Sequence, residues 1–462
     1  MPHFLSTLTT CGVTLTLMND ILLKESLQHF QNLLRLKTIN PPGDEIIAIQ
    51  YISEILKKEG IDFQVIESAP GRANLVARLK SQNPEAPPLL LSSHVDVVPV
   101  DEKKWKYPPF EAQIQEGCVW GRGAIDMKHM AVYCMMALIE TKRKNLPLKR
   151  DLIWAAVADE EAGGDFGSKF LAENHPELIR AEYALNESGA FTIHSGSKRF
   201  YPIQIGEKGF VWFKIKAFSE GGHGSMPHGP HGSNSIVNLA EVIQKIHKKY
   251  LPRHEHPVAE SFILSLASGL AFPASLFLKG ITKPSYGDLF LKLLPDREAA
   301  KFFIAILHNT ACPTMLEAGQ KINVIPSEAA VLVDGRVLPG SSREEFLKEV
   351  RALIGPDYEI EIMKESAGVE TSSDTPAFRT LKKVIEEKDP GSEAIPYIIA
   401  GFTDATHYHK LGIKTYGFSP VKLPKDIVFS KLYHNHNERI PLDGFYWGLE
   451  TFLEAVKRLS SA

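Results

Sequence analysis

The sequence predicts an α/β protein whose main domain is split by an inserted α+β domain. Extended apolar segments alternate with helical ones in the N-terminal part, which is typical of a sheet covered on both faces. Half-exposed alternating strands begin near Gly206, and the α/β pattern returns after Ser366. We therefore expect a main domain formed by residues 20–205 and 366–462, with the inserted domain at 206–365.

Each element is predicted from its apolar pattern. Residues 20–60 have helical spacing with a break at Pro41–Gly43, and the other main-domain helices are predicted at 127–141, 166–174 and 445–459. Strands are predicted at 73–79, 88–99, 151–158 and 182–185. In the inserted domain, strands are predicted at 209–217 and 329–338, helices at 235–249 and 342–354, and a proline-punctuated helical segment at 254–312.

Composition limits the partners and the compartment. The formal net charge is -3, so no electrostatic attraction to nucleic acid or to an anionic membrane is expected. The four cysteines form no CxxC pair, which fits a reducing compartment and leaves metal binding to histidines and carboxylates. No apolar run reaches the ~18 residues of a membrane span. We interpret residues 1–18 as a cytoplasmic leader, although a secretory signal remains an alternative.

Acids and imidazoles follow the predicted strands, where open α/β sheets bind their ligands. His94 and Asp96 end the 88–99 strand two residues apart, so Asp96 can hydrogen-bond the far ring nitrogen of His94. The plain alternative is a surface histidine beside an acid. A glycine-rich loop presents Asp126 just before a helix, where a simple N-cap is the competing interpretation.

Two later strands have similar ends. The 151–158 strand leads into Glu160 and Glu161, so that one glutamate can bind metal while its neighbour handles a proton; a solvated acidic loop is the alternative. Glu187 follows the 182–185 strand. His434 is the candidate late imidazole, for which His407 and His409 compete.

Taken together, these residues suit a catalytic site for two divalent cations. Imidazole and carboxylate ligands without thiolates are typical of catalytic zinc or a related ion. Two ions need roughly five or six ligands with one shared carboxylate. The candidates provide that number.

The motifs resemble those of the M20 metallopeptidases, the family of aminoacylase, carboxypeptidase S and acetylornithine deacetylase. The matching segments are residues 93–99 (SHVDVVP), 121–128 (GRGAIDMK), 159–161 (DEE) and 434–438 (HNHNE). The resemblance covers roughly residues 25–460. It implies a zinc-peptidase-type catalytic domain, with a central mixed sheet flanked by helices, and an inserted lid and dimerisation domain.

The resemblance also implies the roles of the site residues. Two zinc ions are expected, with cobalt or manganese as substitutes. One ion would be held by His94 and Glu187 and the other by Glu161 and His434, with Asp126 bridging both. Glu160 would be the general acid and base, and Asp96 would orient His94. The His-x-x-Asn-Glu spacing favours His434 over His436 as the ligand.

The inserted domain carries three further matches. Residues 221–227 (GGHGSMP) resemble the lid histidine motif, which implies that His223 reaches a partner subunit's site in a homodimer and polarises the scissile carbonyl. Asn323 and Arg336 are assigned to substrate binding, with Arg336 clamping a carboxylate. Gly401 is expected to contact the same carboxylate, although Phe402 stands where the family often has a second glycine.

The implied activity is metal-dependent cleavage of an amide bond in N-acyl-amino acids or short peptides that have a free carboxylate. Glu187, rather than Asp, at its ligand position resembles deacylases and carboxypeptidases. A dipeptidase or aminopeptidase of the same family is the alternative, and a catalytically dead metal-binding scaffold is a remote one. Residues 254–312 are expected either to shape an apolar acyl pocket or to thicken the lid.

Overall fold

The computed structural model describes residues 6–229 and 232–461, with side chains from residue 20 onward. The predicted leader at 1–18 thus lies outside the described residues, apart from the backbone of the first helix from Ser6. Within the part of the chain that the structure covers, no helix has the length and apolar character needed to cross a membrane.

The main domain is built from strands and helices that alternate along the chain. Its first part contains strands β1 (Phe63–Ala69), β2 (Arg72–Leu79), β3 (Leu89–His94), β4 (Ile114–Gln115), β5 (Cys118–Trp120), β6 (Leu152–Val157), β7 (Tyr183–Asn186), β8 (Ile193–Ser195) and β9 (Lys198–Glu207). The helices there are α1 (Ser6–Arg35), α2 (Ile46–Lys58), α3 (Lys128–Arg143), α4 (Ser168–Asn174) and α5 (Pro176–Ile179).

The rest of the chain supplies the inserted domain and then completes the main one. The strands are β10 (Gly209–Phe218), β11 (Gly222–His223), β12 (Thr310–Ala318), β13 (Val324–Ile325), β14 (Glu328–Val337), β15 (Glu359–Ser366), β16 (Val369–Glu370), β17 (Ser392–Ile399), β18 (Lys414–Gly417) and β19 (Arg439–Pro441). The helices are α6 (Ser235–Lys248), α7 (Pro257–Ser268), α8 (Ala274–Gly280), α9 (Gly287–Leu293), α10 (Arg297–Leu307), α11 (Arg343–Ile354), α12 (Pro376–Lys388), α13 (Ala405–His409) and α14 (Leu442–Ser461).

The central sheet is mixed, as expected. Its hydrogen-bonded order is β1-β2-β6-β3-β7-β18-β9-β16, and β8 and β17 also pair with β9. Strands β6, β3, β7 and β18 are parallel to one another, whereas β1 and β2 are antiparallel to each other. The parallel strands therefore end at the same edge, and the loops after β3, β6 and β7 meet there.

Helices cover both faces of this sheet, because its central strands are apolar on both sides. Leu91 and Trp154 belong to the large core that also includes the buried residues of α1, α3 and α14. Leu90 and Ile153 face the opposite side and pack with Leu171 of α4. This two-sided burial is the physical reason for the near-continuous apolar runs in the sequence.

The inserted domain has its own sheet and core. Its sheet order is β12-β14-β10-β15, and α6 and α11 pack on one face through a separate apolar cluster that includes Phe213, Val333 and Phe346. Helix α11 begins with a capping box between Ser342 and Glu345. We call this unit, together with the β11–β13 pair, the lid.

Helices α7–α10 pack on the main domain, a difference from the predicted division that placed all of 206–365 in the inserted domain. Phe262 and Ile263 of α7 and Phe303 and Leu307 of α10 belong to the main-domain core, not to the lid core. The reason is that the apolar face of α7 lies against β17 of the central sheet. The segment does not thicken the lid.

Along the described residues the chain crosses between the two domains four times, since α7–α10 return to the main domain, and the first and last crossings are neighbours. Between β9 and β10 it passes through Lys208, and between β15 and β16 through residues 367–368. A Cβ on Gly209 would lie 2.3 Å from the backbone nitrogen of Gly368, so the crossings touch backbone to backbone. Lys208 is buried and donates hydrogen bonds to the carbonyls of Ala305 and His308 at the end of α10.

Candidate metal centre

The loops at the carboxyl edge of the sheet bring the predicted ligands together. His94 is the last residue of β3, Glu160 and Glu161 lie in a short 3-10 helix after β6, and Glu187 directly follows β7. Ligand atoms of His94, Asp126 and Glu161 lie within 4.8 Å of one another, as do those of His94, Glu160 and Glu187. His94 is common to both groups.

Asp126 lies between the two imidazoles. Its Oδ1 is 3.1 Å from Nε2 of His94, and its Oδ2 is 3.2 Å from Nε2 of His434. The residue that precedes α3 is Met127, so the carboxylate of Asp126 is not used as a helix cap. One carboxylate facing two imidazoles through different oxygens is the arrangement that a bridging ligand needs.

The remaining carboxylates divide between the two imidazoles. Oε2 of Glu161 lies 2.8 Å from Nε2 of His434, while Oε2 of Glu187 lies 3.7 Å from Nε2 of His94. Oε2 of Glu160 is 4.0 Å from the same His94 nitrogen. The His434 side chain is 51% exposed, whereas that of His94 is fully buried, so solvent reaches the centre from the His434 side.

Burial raises the pKa values of the three glutamates of the centre. Loss of hydration and the nearby charge of Glu187 raise the pKa of Glu160 well above its usual range. Burial and the charge of Asp126 raise the pKa of Glu161 to about 7, and burial also raises that of Glu187. Carboxyl groups so placed need protons or cations to compensate their charge.

The pKa values of the two imidazoles are also raised, but by hydrogen bonds to carboxylates and not by burial. Hydrogen bonds to Asp126 and Glu161 raise the pKa of His434 to about 10. Burial alone would lower the pKa of His94, but hydrogen bonds to Asp126 and Asp96 hold it well above its usual value. In the protein without metal, protons on these groups therefore take the place of cations.

The residues fit a pair of divalent cations. Oε1 of Glu161 is buried and has no hydrogen-bond partner among the described residues, although its other oxygen faces His434. An unpartnered carboxylate oxygen in an acid-rich pocket is costly unless a cation binds there. The donor set of imidazole nitrogens and carboxylate oxygens suits zinc and related ions.

Asp96 connects His94 to the Glu160 loop. Nδ1 of His94 lies 3.1 Å from the carbonyl oxygen and 3.4 Å from Oδ1 of Asp96. The same carboxylate accepts hydrogen bonds from the backbone nitrogens of Glu160 and Glu161 and from the side chain of Asn40. One buried acid thus fixes the ring of His94 and the position of both glutamates.

Glu438 is a structural anchor for which sequence reasoning gave no role. Its fully buried carboxylate accepts hydrogen bonds from Arg122 and from the backbone nitrogens of Gly123, Ile125 and Asp126, at 2.7–3.0 Å. It thereby ties the loop that carries Asp126 to the segment that carries His434. The signal available in the sequence was an acid four residues after His434 in the recognised motif.

Arg72 is the second such anchor. Its guanidinium group is buried and bonds both Glu45 and Asp159, the residue before Glu160. Asp159 has a left-handed backbone with φ of 65° and receives a further hydrogen bond from Asn40. The ion pair between Arg72 and Asp159 holds the sharp turn at the end of β6. No local motif marks Arg72, because its partners are far away in the sequence.

The competing histidines do not join the carboxylates. His407 lies in α13, where burial lowers its pKa to about 4, and its Nε2 faces Gly164. His409 lies at the end of the same helix. Four histidines were candidates for the late ligand: His407, His409, His434 and His436. Among the described contacts of these four, only those of His434 include an ion pair with Asp126 or Glu161.

The lid residues lie in two further places. His223 pairs with Val324 in the β11–β13 ribbon, and the backbone nitrogen of Gly224 bonds the carbonyl of Asn323. His223 and Asn323 are therefore neighbours at an exposed tip of the lid, where the ring of His223 contacts the hydroxyl of Ser225 at 2.7 Å. The described contacts do not connect this tip with the metal-ligand cluster of the same chain.

Arg336 lies between the lid sheet and the Gly401 loop. Its Nε bonds both carboxylate oxygens of Asp334 at 2.9 and 3.1 Å, and its guanidinium group stacks on the ring of Phe402 at 5.3 Å. Nη1 is buried and has no hydrogen-bond partner in the part of the chain described. Gly401 is exposed with open space around it, so a ligand can approach its backbone.

A buried acid supports this loop from beneath. Glu207, at the end of β9, accepts hydrogen bonds from the backbone nitrogen and the hydroxyl of Thr403. Burial raises its pKa to about 8. Because Glu207 adjoins the domain crossing at Lys208, the loop with Gly401 and Phe402 is fixed to the point where the lid begins.

Comparison with known proteins agrees with this geometry. Residues 90–458 match the model of the peptidase family M20/M25/M40. The chain is 27% identical over 449 residues to aminoacylase-1 of Mus musculus, covering 94% of this chain and 95% of that protein. It is 26% identical over 393 residues to the N-fatty-acyl-amino acid synthase/hydrolase of Bos taurus, covering 82% and 75%.

A solved structure shows the same fold. The M20 family metallo-carboxypeptidase Sso-CP2 from Sulfolobus solfataricus superposes with a TM-score of 0.71 at 20% identity, over 95% of this chain and all of that one. The matched family region includes every predicted ligand and extends into both parts of the main domain. The chain belongs to the peptidase family M20/M25/M40, whose enzymes are metal-dependent hydrolases.

Proposed function

We propose that this protein uses two divalent cations, zinc in the first place, to hydrolyse the amide bond of an N-acyl-amino acid or short peptide with a free carboxylate. The observation that carries the proposal is Asp126, whose two oxygens face His94 and His434 at 3.1 and 3.2 Å. One ion would be held by His94 and Glu187 and the other by Glu161 and His434, with Asp126 shared.

The protein's own groups then handle the proton and the charge. Bound cations supply Lewis acidity and lower the pKa of water. Glu160 is buried beside His94 and is the carboxyl group left over after the ligands are assigned. It takes the proton of the attacking water and returns it to the leaving amine nitrogen. Glu160 would be ionised with cations bound beside it, because their charge would offset the burial that raises its pKa.

Arg336 is the proposed site for the substrate carboxylate. Asp334 and the Phe402 ring hold its guanidinium group, and the unpartnered Nη1 is a donor ready for an anion. Replacing it in the variant Arg336→Lys keeps the charge but removes the planar fork. We expect kcat/KM to fall roughly 10- to 100-fold for a free-carboxylate substrate and little for its methyl ester, measured by initial rates.

The lid tip is proposed to act on the site of a second copy in a homodimer. His223 is exposed and has no described contact with the ligands of its own chain. Edge strand β12 and helix α6 expose large apolar residues that would form the contact: Ile236, Val237, Met315 and Leu316. A donor placed against the developing oxyanion would contribute most to the rate. Size-exclusion chromatography with light scattering tests the dimer.

An activity panel tests the function. Purified protein stripped of metal and reloaded with zinc, cobalt or manganese is assayed against N-acetyl-amino acids and against free dipeptides. We expect hydrolysis of the N-acyl substrates and restoration of activity by zinc. Preferential cleavage of dipeptides would favour the alternative, a dipeptidase or aminopeptidase. No cleavage of either class by metal-loaded protein would contradict the proposal.

We also propose a cytoplasmic location. Among the described cysteines, Cys118, Cys134 and Cys312 are all free, which supports a reducing compartment. Fractionation of cells that express the tagged chain tests this, and a mature N-terminus beyond residue 18 in an extracytoplasmic fraction would contradict it.

A further inference from the structure

Four aromatic rings form a continuous row beside the metal centre. The ring centroids of Tyr433 and Phe429 are 5.6 Å apart, and Phe429 stacks on Phe191 at 3.9 Å with an interplanar angle of 4°. Phe191 in turn meets the edge of Tyr397 at 6.2 Å. We call these four residues the aromatic wall. None of them is used by the metal ligands or by the proposed chemistry.

The wall adjoins the metal ligands at both ends. Tyr433 precedes His434, and the two ring centroids are 5.7 Å apart. The hydroxyl of Tyr397 donates a hydrogen bond to the carbonyl of Ser188, the residue after Glu187. The exposed end of the wall at Tyr433 therefore lies beside His434, and the inner end at Tyr397 lies beside the loop that carries Glu187.

One end of the wall is open and the other is closed. Tyr433 is 40% exposed and the nearby Val428 is 45% exposed, whereas Phe191 and Tyr397 are buried. The accessible end lies on the His434 side, from which solvent reaches the centre. Exposed aromatic and apolar groups beside a polar reaction centre are suited to pack a large apolar part of a substrate.

The helical segment 254–312 supports the wall from behind. Phe262 of α7 packs on Tyr397 with centroids 5.7 Å apart, and Phe302 of α10 packs on Phe262 at 5.8 Å. Phe262 is buried. The segment therefore does not line the open end itself, but it holds the inner rings in place.

We infer that the aromatic wall is the binding subsite for the acyl group of the substrate, and that it selects aromatic or long unbranched apolar acyl groups over acetyl. The inference rests on the proposed function. The carboxylate end of the substrate is assigned to Arg336, which belongs to the lid, whereas the wall belongs to the main domain. The acyl group lies on the other side of the scissile bond, and we therefore assign it to the aromatic wall.

The first experiment measures selectivity. The ratio of kcat/KM for N-decanoyl-methionine to that for N-acetyl-methionine is determined for the wild type and for Tyr433→Ala, Tyr433→Phe and Tyr286→Ala. We expect the ratio to exceed one in the wild type and to fall about ten-fold in Tyr433→Ala, since several methylene contacts are lost. Tyr433→Phe keeps the ring and should keep the ratio.

Tyr286→Ala is the matched control, because it removes an exposed tyrosine of segment 254–312 that lies outside the wall. Its ratio should equal that of the wild type. Equal losses for both substrates in Tyr433→Ala would overturn the inference, since they would mean that Tyr433 only supports the His434 loop. Metal content of each variant, measured by mass spectrometry, identifies that case directly.

The second experiment measures binding without turnover. Isothermal titration of zinc-loaded protein with decanoate should give an affinity about ten-fold weaker for Tyr433→Ala than for Tyr433→Phe, with acetate binding much more weakly to all forms. If Tyr433→Ala instead changes selectivity among N-acetyl-amino acids with large and small side chains, the wall binds the leaving amino acid and the acyl assignment is wrong.

The two proposals fail in different ways. If the wild type hydrolyses no N-acyl-amino acid, the proposed function is wrong, while the titration with decanoate still reports whether the wall binds apolar chains. If N-acetyl-methionine is hydrolysed but N-decanoyl-methionine is not preferred, the function stands and the wall is not an acyl subsite.

Discussion

The metal centre and the lid tip contrast in how complete they are within one chain. Two ligands of the centre, His94 and Glu187, are buried and two others are half-buried, and the surrounding loops are fixed by Asp96, Arg72 and Glu438. His223 and Asn323 at the lid tip are exposed and contact mainly each other's loop. The difference indicates that the fold of one chain brings the candidate ligands together, whereas the role proposed for His223 requires the lid tip to meet the site of a second chain.

The largest effect is expected at the centre, for Glu160→Gln. The amide has nearly the same shape but cannot accept the proton of water, so kcat should fall about 10³- to 10⁴-fold. Metal content should remain that of the wild type, because Glu160 is not assigned as a ligand. Steady-state kinetics and mass spectrometry of the same sample measure both quantities.

Two outcomes would contradict this role for Glu160. Turnover within ten-fold of the wild type would mean that another group is the base. Loss of one metal equivalent would mean that Glu160 is a ligand. The assignment of Glu161 as the ligand and Glu160 as the base would then be wrong.

The next largest effect is expected at the lid, for His223→Ala. Loss of a donor to the oxyanion should lower kcat about 10²- to 10³-fold without changing metal content. A mixture with Glu160→Gln should recover part of the activity, since hybrid dimers would have one site with both an intact base and an intact lid histidine.

If the mixture of His223→Ala and Glu160→Gln shows only the sum of the two activities after subunit exchange, the lid histidine acts within its own chain and needs no second one.

A smaller effect is expected for the anchor Glu438→Gln. The amide keeps the volume but loses charge and replaces an acceptor oxygen by a donor, which conflicts with the backbone N–H groups of Ile125 or Gly123. Metal affinity should fall about 10- to 100-fold, as is typical when support for a metal ligand is removed. Competition with a chromogenic chelator measures this affinity.

Glu344→Gln is the matched control for Glu438, since Glu344 is an exposed acid of the lid with a partner, Arg343, on the surface. Its metal affinity should equal that of the wild type. An unchanged affinity in Glu438→Gln would show that Asp126 holds its position without the buried carboxylate.

The smallest effect, taken per pH unit, is the pH dependence of metal binding. Without metal, Glu161 has a pKa of about 7 and His434 one of about 10, and both must lose protons to become ligands. Binding at pH 7 therefore releases protons, and affinity should rise with pH between about 7 and 10, by roughly ten-fold per unit for each proton released. Titration in buffers of different ionisation enthalpy counts the protons, and a pH-independent affinity would contradict the assignment.

Much of the fold and of the metal centre could be predicted because the deciding signals are local. The apolar runs predicted β2, β3, β6 and β7 to within a few residues, apart from the longer predicted extent around β3, and the candidate ligands follow three of these strands. Parallel strands bring such loops together whatever the details of packing. The long-range arrangement of His434 beside Asp126 had no local signal, and the family resemblance supplied it.

The parts that could not be predicted depend on contacts between distant segments. The packing of α7 on β17 is decided by which apolar face fits best, and proline punctuation in the sequence says nothing about that choice. Arg72 and Glu438 are ordinary charged residues until the fold buries them. The location of His223 relative to a second chain stays a prediction.

The paired crossings at Gly209 and Gly368 have a mechanical consequence. Two peptide segments in direct backbone contact act as a double-pinned joint, which permits swinging about one axis but resists twisting and sliding. Lys208 fastens this joint to the end of α10, so the main domain carries the pivot. We therefore expect the lid to rotate relative to the main domain about one axis. That rotation would change the distance between Arg336 and the Phe402 ring.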